Sequence, residues 1–259
     1  MIAMFDSGLG GLSIWQAVTA TLPDWPVTYL ADQAYCPYGS RSKREIAARS
    51  LKIGRFLVSQ GASILVVACN TATTAAVSLL RKELPIPIVG VEPAIKPAAA
   101  NSQTGRIAVL ATPATLASER VQALLEAHAG GVEVLRRAGH GWVERVEAGD
   151  LDSPVTHRVV SDVIEPLLDE HIDHIALGCT HYPFLAPVIR EMTGTEITLY
   201  DPAEAIARRV NFLLRQRGSD AQGRHYYRFI TTSTDPQDMA SRLPALIGHA
   251  YPVESVTLE

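Results

Sequence analysis

Two cysteines in this sequence stand in settings that can do chemistry. The short apolar run Ile175-Ala176-Leu177 reads as a buried strand and leads into Gly178-Cys179-Thr180-His181-Tyr182-Pro183, after which Leu185, Val188, Ile189 and Met192 recur at helical spacing. An earlier stretch has the same design. Ile64-Leu65-Val66-Val67-Ala68 runs into Cys69-Asn70-Thr71, followed by Ala72, Ala75, Ala76, Leu79 and Leu80 on one helical face. Both cysteines are therefore expected at strand-to-helix junctions, where free N–H groups favour a thiolate or a bound carboxylate. A lone cysteine is usually a small buried hydrophobe, but two with matched flanks point to a pair. One thiolate acting as base and one thiol acting as acid would move a proton from one face of a carbon to the other, which inverts a stereocentre.

The groups that would assist are close by in sequence. Asp6 can position the first thiol or accept its proton, or it can simply cap the glycine-rich turn that follows it. His181, two residues past Cys179, can do the same for the second thiol or be a packed, hydrogen-bonded histidine. Ser7, Asn70, Thr71, Thr180 and the backbone around Tyr38-Gly39 offer hydroxyls, an amide and N–H groups to a small dianionic or zwitterionic ligand, and the side chains serve equally as helix caps. Cys36 lies in a turn without such logic, and Trp142 and Tyr182 read as packing. Cys179-x-His181 holds two potential metal ligands, but no further ligand falls at a recognisable spacing. No Cys-x-x-Cys is present for redox chemistry.

These residues are positioned by repeated strand-then-helix units. Ile2–Phe5, Val27–Ala31, Ile64–Ala68 and Ile86–Val89 read as strands, with helices from the Gly-rich turn Asp6–Gly11 to about Leu22 and from about Ser42 to Gln60. The class is α/β, with mainly parallel sheets covered by helices. Ligands of such sheets gather at the carboxyl ends of strands, where Asp6, Asp32 and Cys69 all fall. The pattern restarts at Ile107-Ala108-Val109-Leu110-Ala111-Thr112, which resembles Ile2 to Asp6 and its turn, so two similar lobes from a degenerate duplication are expected. We place residues 1–96 with 208–259 in the first lobe and 97–207 in the second. In the second, Val132–Leu135 reads as a strand, Gly139–Gly149 as a loop and Ser153–His171 as a helix opening on Ser153-Pro154. Ile197–Tyr200 reads as a strand, followed by a helix carrying Ala203, Ile206, Ala207 and Val210. Arg217–Gly223 is the best linker, before a strand at Tyr226–Ile230 and a helix at Pro236–Leu243.

Composition sets the surroundings. The chain has 259 residues, 47% of them hydrophobic, and a formal charge of -4, so a sizeable core is affordable and nucleic acid is not indicated as a principal ligand. The first residues meet Asp6 too early for an export signal, and no apolar run is long enough to span a bilayer, so a cytoplasmic protein without membrane association is expected. Three cysteines in such a chain are expected as reduced thiols.

Taken together, four motifs resemble the glutamate racemase family of bacterial cell-wall synthesis. They are Phe5-Asp6-Ser7-Gly8-Leu9-Gly10-Gly11, Asp32 with Pro37-Tyr38-Gly39, Ala68-Cys69-Asn70-Thr71-Ala72, and Leu177-Gly178-Cys179-Thr180-His181-Tyr182-Pro183. The resemblance implies a racemase that interconverts L- and D-glutamate without a cofactor or a metal, supplying D-glutamate for peptidoglycan. It implies two pseudo-symmetric lobes with the substrate in the cleft between them, and a homodimer. It puts Cys179 on the L-glutamate face and Cys69 on the D-glutamate face, with Asp6 and His181 assisting. Substrate contacts fall on Asp6, Ser7, Tyr38, Gly39, Asn70, Thr71, Thr180 and His181. Glu147, through Val143-x-x-Val146-Glu147-x-Gly149, and Asp32 are further acidic candidates. Family members often open that last segment with Ala-Cys-Pro, where this chain has Ala138-Gly139-His140. A related racemase for aspartate or a hydantoin, or a catalytically silent protein of the same fold, are the alternatives.

Overall fold

The structure is a computed structural model that describes residues 1–218 and 226–258. In chain order it contains β1 (Ile2–Asp6), α1 (Leu12–Thr21), β2 (Val27–Ala31), α2 (Lys43–Ser59), β3 (Ile64–Val67), α3 (Asn70–Glu83) and β4 (Ile88–Gly90). There follow α4 (Ile95–Asn101), β5 (Arg106–Ala111), α5 (Pro113–Leu116), α6 (Glu119–His128), β6 (Glu133–Ala138), α7 (Trp142–Glu147), α8 (Pro154–Leu168), β7 (His174–Gly178), α9 (Ala186–Thr193) and β8 (Thr198–Tyr200). The chain closes with α10 (Ala203–Gln216), β9 (Tyr227–Thr231), α11 (Pro236–Ile247) and β10 (Val253–Ser255).

Two compact units result: Met1–Val91 with Ala203–Glu259, and Glu92–Pro202. The crossings fall a few residues ahead of the expected ones. α4 packs on β5, β7 and α6 and so belongs wholly to the second unit, whereas α10 packs on α1, β3 and β4 of the first. The expected linker at Arg217–Gly223 falls mostly on residues outside those described.

The first unit is a six-stranded sheet in the order β10-β9-β2-β1-β3-β4, and the second a four-stranded sheet in the order β6-β5-β7-β8. Every pairing in both sheets is parallel. The orders β2-β1-β3-β4 and β6-β5-β7-β8 are one pattern used twice, as a duplication requires. β1, β2, β3 and β7 are buried along their whole length, which is why they read as continuous apolar runs rather than alternating ones. On one side of the first sheet, Ile46, Ile53 and Leu57 of α2 and Ala72, Ala76 and Leu80 of α3 pack over Ala3, Phe5, Leu65 and Val67.

Two expectations are corrected. Residues 139–149 are not a plain loop, because Trp142–Glu147 forms α7 with Trp142 and Val146 buried on one face. Gly141 caps that helix with φ of 79°, a conformation glycine adopts without strain. The cysteine junctions also differ. Cys69 is the N-cap of an α-helix, and Thr73 N–H donates to its carbonyl at 2.8 Å. At the second junction the equivalent donor would be residue 183, which is proline and has no N–H. Tyr182 N–H takes the Cys179 carbonyl instead at 3.1 Å, so a 3-10 turn over Tyr182–Leu185 precedes α9.

Candidate active site

At the first junction the functional groups come from neighbouring strands. β1 ends in Asp6 and β3 leads into Cys69, and the two strands are paired, which puts the carboxylate beside the thiol. Asp6 is fully buried; its Oδ1 accepts from Ser7 N–H at 2.6 Å and its Oδ2 from Gly11 N–H at 2.5 Å. It therefore caps the glycine-rich turn as well as facing the cysteine. The Cys69 S–H donates toward Ser7 Oγ at 3.8 Å, and Ser7 Oγ–H donates to Asp6 Oδ1 at 3.2 Å. Burial, followed by the Asp6 charge, pushes the Cys69 thiol well above its ordinary range, against the opposing pull of the Ala72 N–H that donates to Sγ at 3.4 Å. Cys69 is thus held as a protonated thiol.

Asn70 and Thr71 open α3 and are buried. The Asn70 side chain is 3% exposed, yet among the described residues neither its amide nitrogen nor its amide oxygen has a hydrogen-bond partner. A buried amide left unsatisfied costs about 1–3 kcal/mol, so a ligand that engages it recovers that cost.

Asp32, expected as a proton-handling carboxylate, is otherwise occupied. It accepts from Arg49 Nη2 at 2.7 Å and Nε at 3.0 Å, from the Tyr38 hydroxyl at 2.5 Å and from the Thr232 hydroxyl at 2.8 Å. Few acceptor sites remain for a proton in transit. Burial, then the Asp32 charge and hydrogen bond, holds the Tyr38 phenol protonated. Gly39 sits in the 3-10 turn Tyr38–Ser40.

At the second junction His181 Nδ1 lies 3.7 Å from Cys179 Sγ, and Nε2 lies 2.6 Å from Glu147 Oε1. Burial works against the imidazolium, but the bonds and charges of Cys179 and Glu147 outweigh it and hold His181 protonated well above its ordinary range. As an imidazolium it donates both ring N–H groups, one toward Cys179 Sγ and one to the Glu147 carboxylate. Thr180, between Cys179 and His181 in sequence, is buried.

Glu147 reaches His181 because α7 is fixed at its start. Trp142 is fully buried, its indole N–H donates to the Val159 carbonyl of α8 at 2.8 Å, and its ring meets Tyr182 edge to face at 4.7 Å. Gly139 completes this packing. Its N–H donates to the Tyr182 hydroxyl at 3.1 Å, and a Cβ at this position would lie 2.7 Å from both the Trp142 ring and that hydroxyl. Glycine at 139 is thus matched to an aromatic pair that fills the space.

Each cysteine heads a series of thiol, intermediary and carboxylate: Cys69, Ser7 and Asp6 in one unit, Cys179, His181 and Glu147 in the other. Arg49 and Thr232 were not expected from the sequence. The signal for Arg49 was a charge on the buried stripe of α2, alongside Ile46, Ser50 and Ile53. Among the described residues no group of three or more His, Cys, Asp or Glu side chains could hold a metal ion. No helix among them is long and apolar enough to cross a membrane.

Comparison with known proteins gives the family. The profile of the Asp/Glu/Hydantoin racemase family matches residues 12–210. A glutamate racemase of Pseudomonas aeruginosa is 44% identical over 95% of this chain and 94% of its own length. One from Ralstonia pickettii is 41% identical over 99% of this chain and 91% of its own. Among solved structures, the Escherichia coli glutamate racemase in complex with L-glutamate and the activator UDP-MurNAc-Ala superposes with a TM-score of 0.91 at 30% identity, covering 100% of this chain and 98% of that one. The chain belongs to the Asp/Glu/Hydantoin racemase family.

Proposed function

We propose that this chain interconverts L- and D-glutamate by proton transfer between two thiols, without a cofactor, and so supplies D-glutamate for peptidoglycan synthesis. The observation that carries the reading is the pair of thiol series just described, each cysteine with its own proton-handling partners. A thiolate removes the α-proton and the other thiol delivers a proton to the opposite face of the same carbon. Cys179 serves the L-glutamate face and Cys69 the D-glutamate face. His181 stabilises the Cys179 thiolate, Glu147 orients His181 and keeps it charged, and Asp6 with Ser7 governs the proton on Cys69. Asp32 acts on the reaction only through Tyr38. The enzyme works in the cytoplasm as a homodimer.

The α-proton is weakly acidic, so the carbanion-like state needs its carboxylate stabilised. The Asn70 amide and the Thr71 hydroxyl, at the start of α3, are the donors on the Cys69 side. Thr180 contributes on the Cys179 side, and Ser7 and the Tyr38-Gly39 N–H groups bind the rest of the dianion. Because the Asn70 amide has no partner among the described residues, Asn70→Ala is expected to raise KM for glutamate about tenfold, the worth of one hydrogen bond to a charged group. The same change is expected to leave the thermal midpoint unchanged or higher. Steady-state kinetics beside thermal denaturation checks both.

The choice of glutamate rests on the relatives above. One methylene in a pocket is worth about 1–3 kcal/mol of discrimination, so initial rates on L-glutamate and L-aspartate, measured without pyridoxal phosphate, decide it. Faster turnover of glutamate is expected. Faster turnover of aspartate moves the specificity, and inertness toward both returns the reading to a silent protein of the same fold.

A further inference from the structure

Arg49 is 8% exposed and comes from the middle of α2, on the stripe that packs into the first unit's core. A buried guanidinium is costly unless its donors are matched, and an apolar side chain would pack there as well. Each of its three nitrogens has a partner. Nε and Nη2 grip both oxygens of Asp32, Nη1 donates to the Leu258 carbonyl at 3.3 Å, and the guanidinium carbon sits 4.1 Å from the centre of the Tyr35 ring. Asp32 in turn takes the Tyr38 hydroxyl, and Thr232, while donating to Asp32, accepts the Ala34 N–H at 3.1 Å. Residues 32–38 are thereby tied to one carboxylate at both ends. The Tyr38 ring lies in the same buried cluster as Cys69 and Ala72.

We propose that Arg49 is a positioning residue for substrate binding: through Asp32 it fixes the Tyr38 hydroxyl, and so holds the Tyr38-Gly39 backbone where it receives a carboxylate of the substrate. The inference rests on the reading of Tyr38-Gly39 as substrate contacts. It accounts for a charge on an apolar stripe, and for a carboxylate at a strand end that is saturated instead of free.

A double-mutant cycle tests it, using the full chain and glutamate as substrate. Tyr38→Phe and Arg49→Lys are each expected to raise KM about tenfold with a smaller change in kcat, and together to raise it no more than the larger single effect, because both act along one chain of contacts. Thr232→Val removes one donor to Asp32 while keeping the ion pair, and is expected to raise KM in the same direction by less. It carries the test if Arg49→Lys does not fold. KM effects that multiply in the double variant, or a lowered thermal midpoint with KM unchanged, overturn the proposal. If Tyr38→Phe raises KM but neither Arg49→Lys nor Thr232→Val does, the binding role of Tyr38-Gly39 stands and that of Arg49 falls. If Tyr38→Phe leaves KM unchanged, the binding role fails and Arg49 falls with it.

Discussion

Cys69→Ser and Cys179→Ser are each expected to lower kcat for racemisation by about 10²–10⁴-fold in both directions, the range by which a positioned acid or base accelerates proton transfer. Inversion needs a base on one face and an acid on the other, so losing either group blocks the whole cycle. A serine hydroxyl fills nearly the same space, and both cysteines are buried without a structural disulfide, so the fold is expected to persist. Circular dichroism following the loss of optical activity measures kcat, and thermal denaturation verifies folding. The variants should differ in one respect. Cys179→Ser leaves the Cys69, Ser7, Asp6 series intact, and is expected to retain α-proton exchange on D-glutamate only. Cys69→Ser is expected to retain exchange on L-glutamate only. Normal racemisation by either variant contradicts the assignment.

The second large effect concerns pH. His181 keeps its proton well above the ordinary imidazole range because its bonds to Cys179 and Glu147 outweigh the burial that opposes the charge. A group whose pKa is raised keeps its charge-dependent contribution at low pH and loses it as pH rises through the raised value. Glu147→Gln removes the carboxylate partner while keeping a side chain of the same shape, so His181 gives up its proton at lower pH. The alkaline limb of kcat/KM for L-glutamate is therefore expected to move to lower pH by about one unit or more, each unit being about 1.4 kcal/mol. A profile identical to that of the unaltered protein would mean that Glu147 only packs against His181.

Much of this was legible in the sequence, for identifiable reasons. Fully buried parallel strands such as β1, β3 and β7 appear as unbroken apolar runs, and the residue after such a run lands at a strand's carboxyl end, so Asp6, Cys69 and Cys179 were found where ligands gather. His181 was found because it is two residues from its thiol. Glu147 meets His181 across 34 residues of chain, and only a family resemblance pointed to it. Its helix, α7, was read as a loop because glycine at 141 signals a break as readily as a left-handed cap.

Arg49 is hidden in the sequence for a related reason. Its value lies in Asp32, 17 residues away, and in Thr232, which reaches the same carboxylate from 200 residues away. No local pattern shows that convergence. The two cysteine junctions looked alike because both follow a buried strand. They differ because Pro183 withholds the one N–H that would have closed an α-helical turn on Cys179. Helix-start stabilisation is thus confined to the Cys69 side, and the Cys179 side relies on an imidazolium. The duplicated frame carries two different ways of holding a proton.

The central claim, that two thiols on opposite faces divide one proton transfer, is tested most directly by racemising α-protio L-glutamate in heavy water and reading the α-position of both enantiomers early in the reaction. The account predicts D-glutamate carrying solvent deuterium from the first turnovers, while unreacted L-glutamate keeps its protium. Protium carried over into D-glutamate, or equal labelling of both enantiomers, would mean that one group serves both faces and would contradict it.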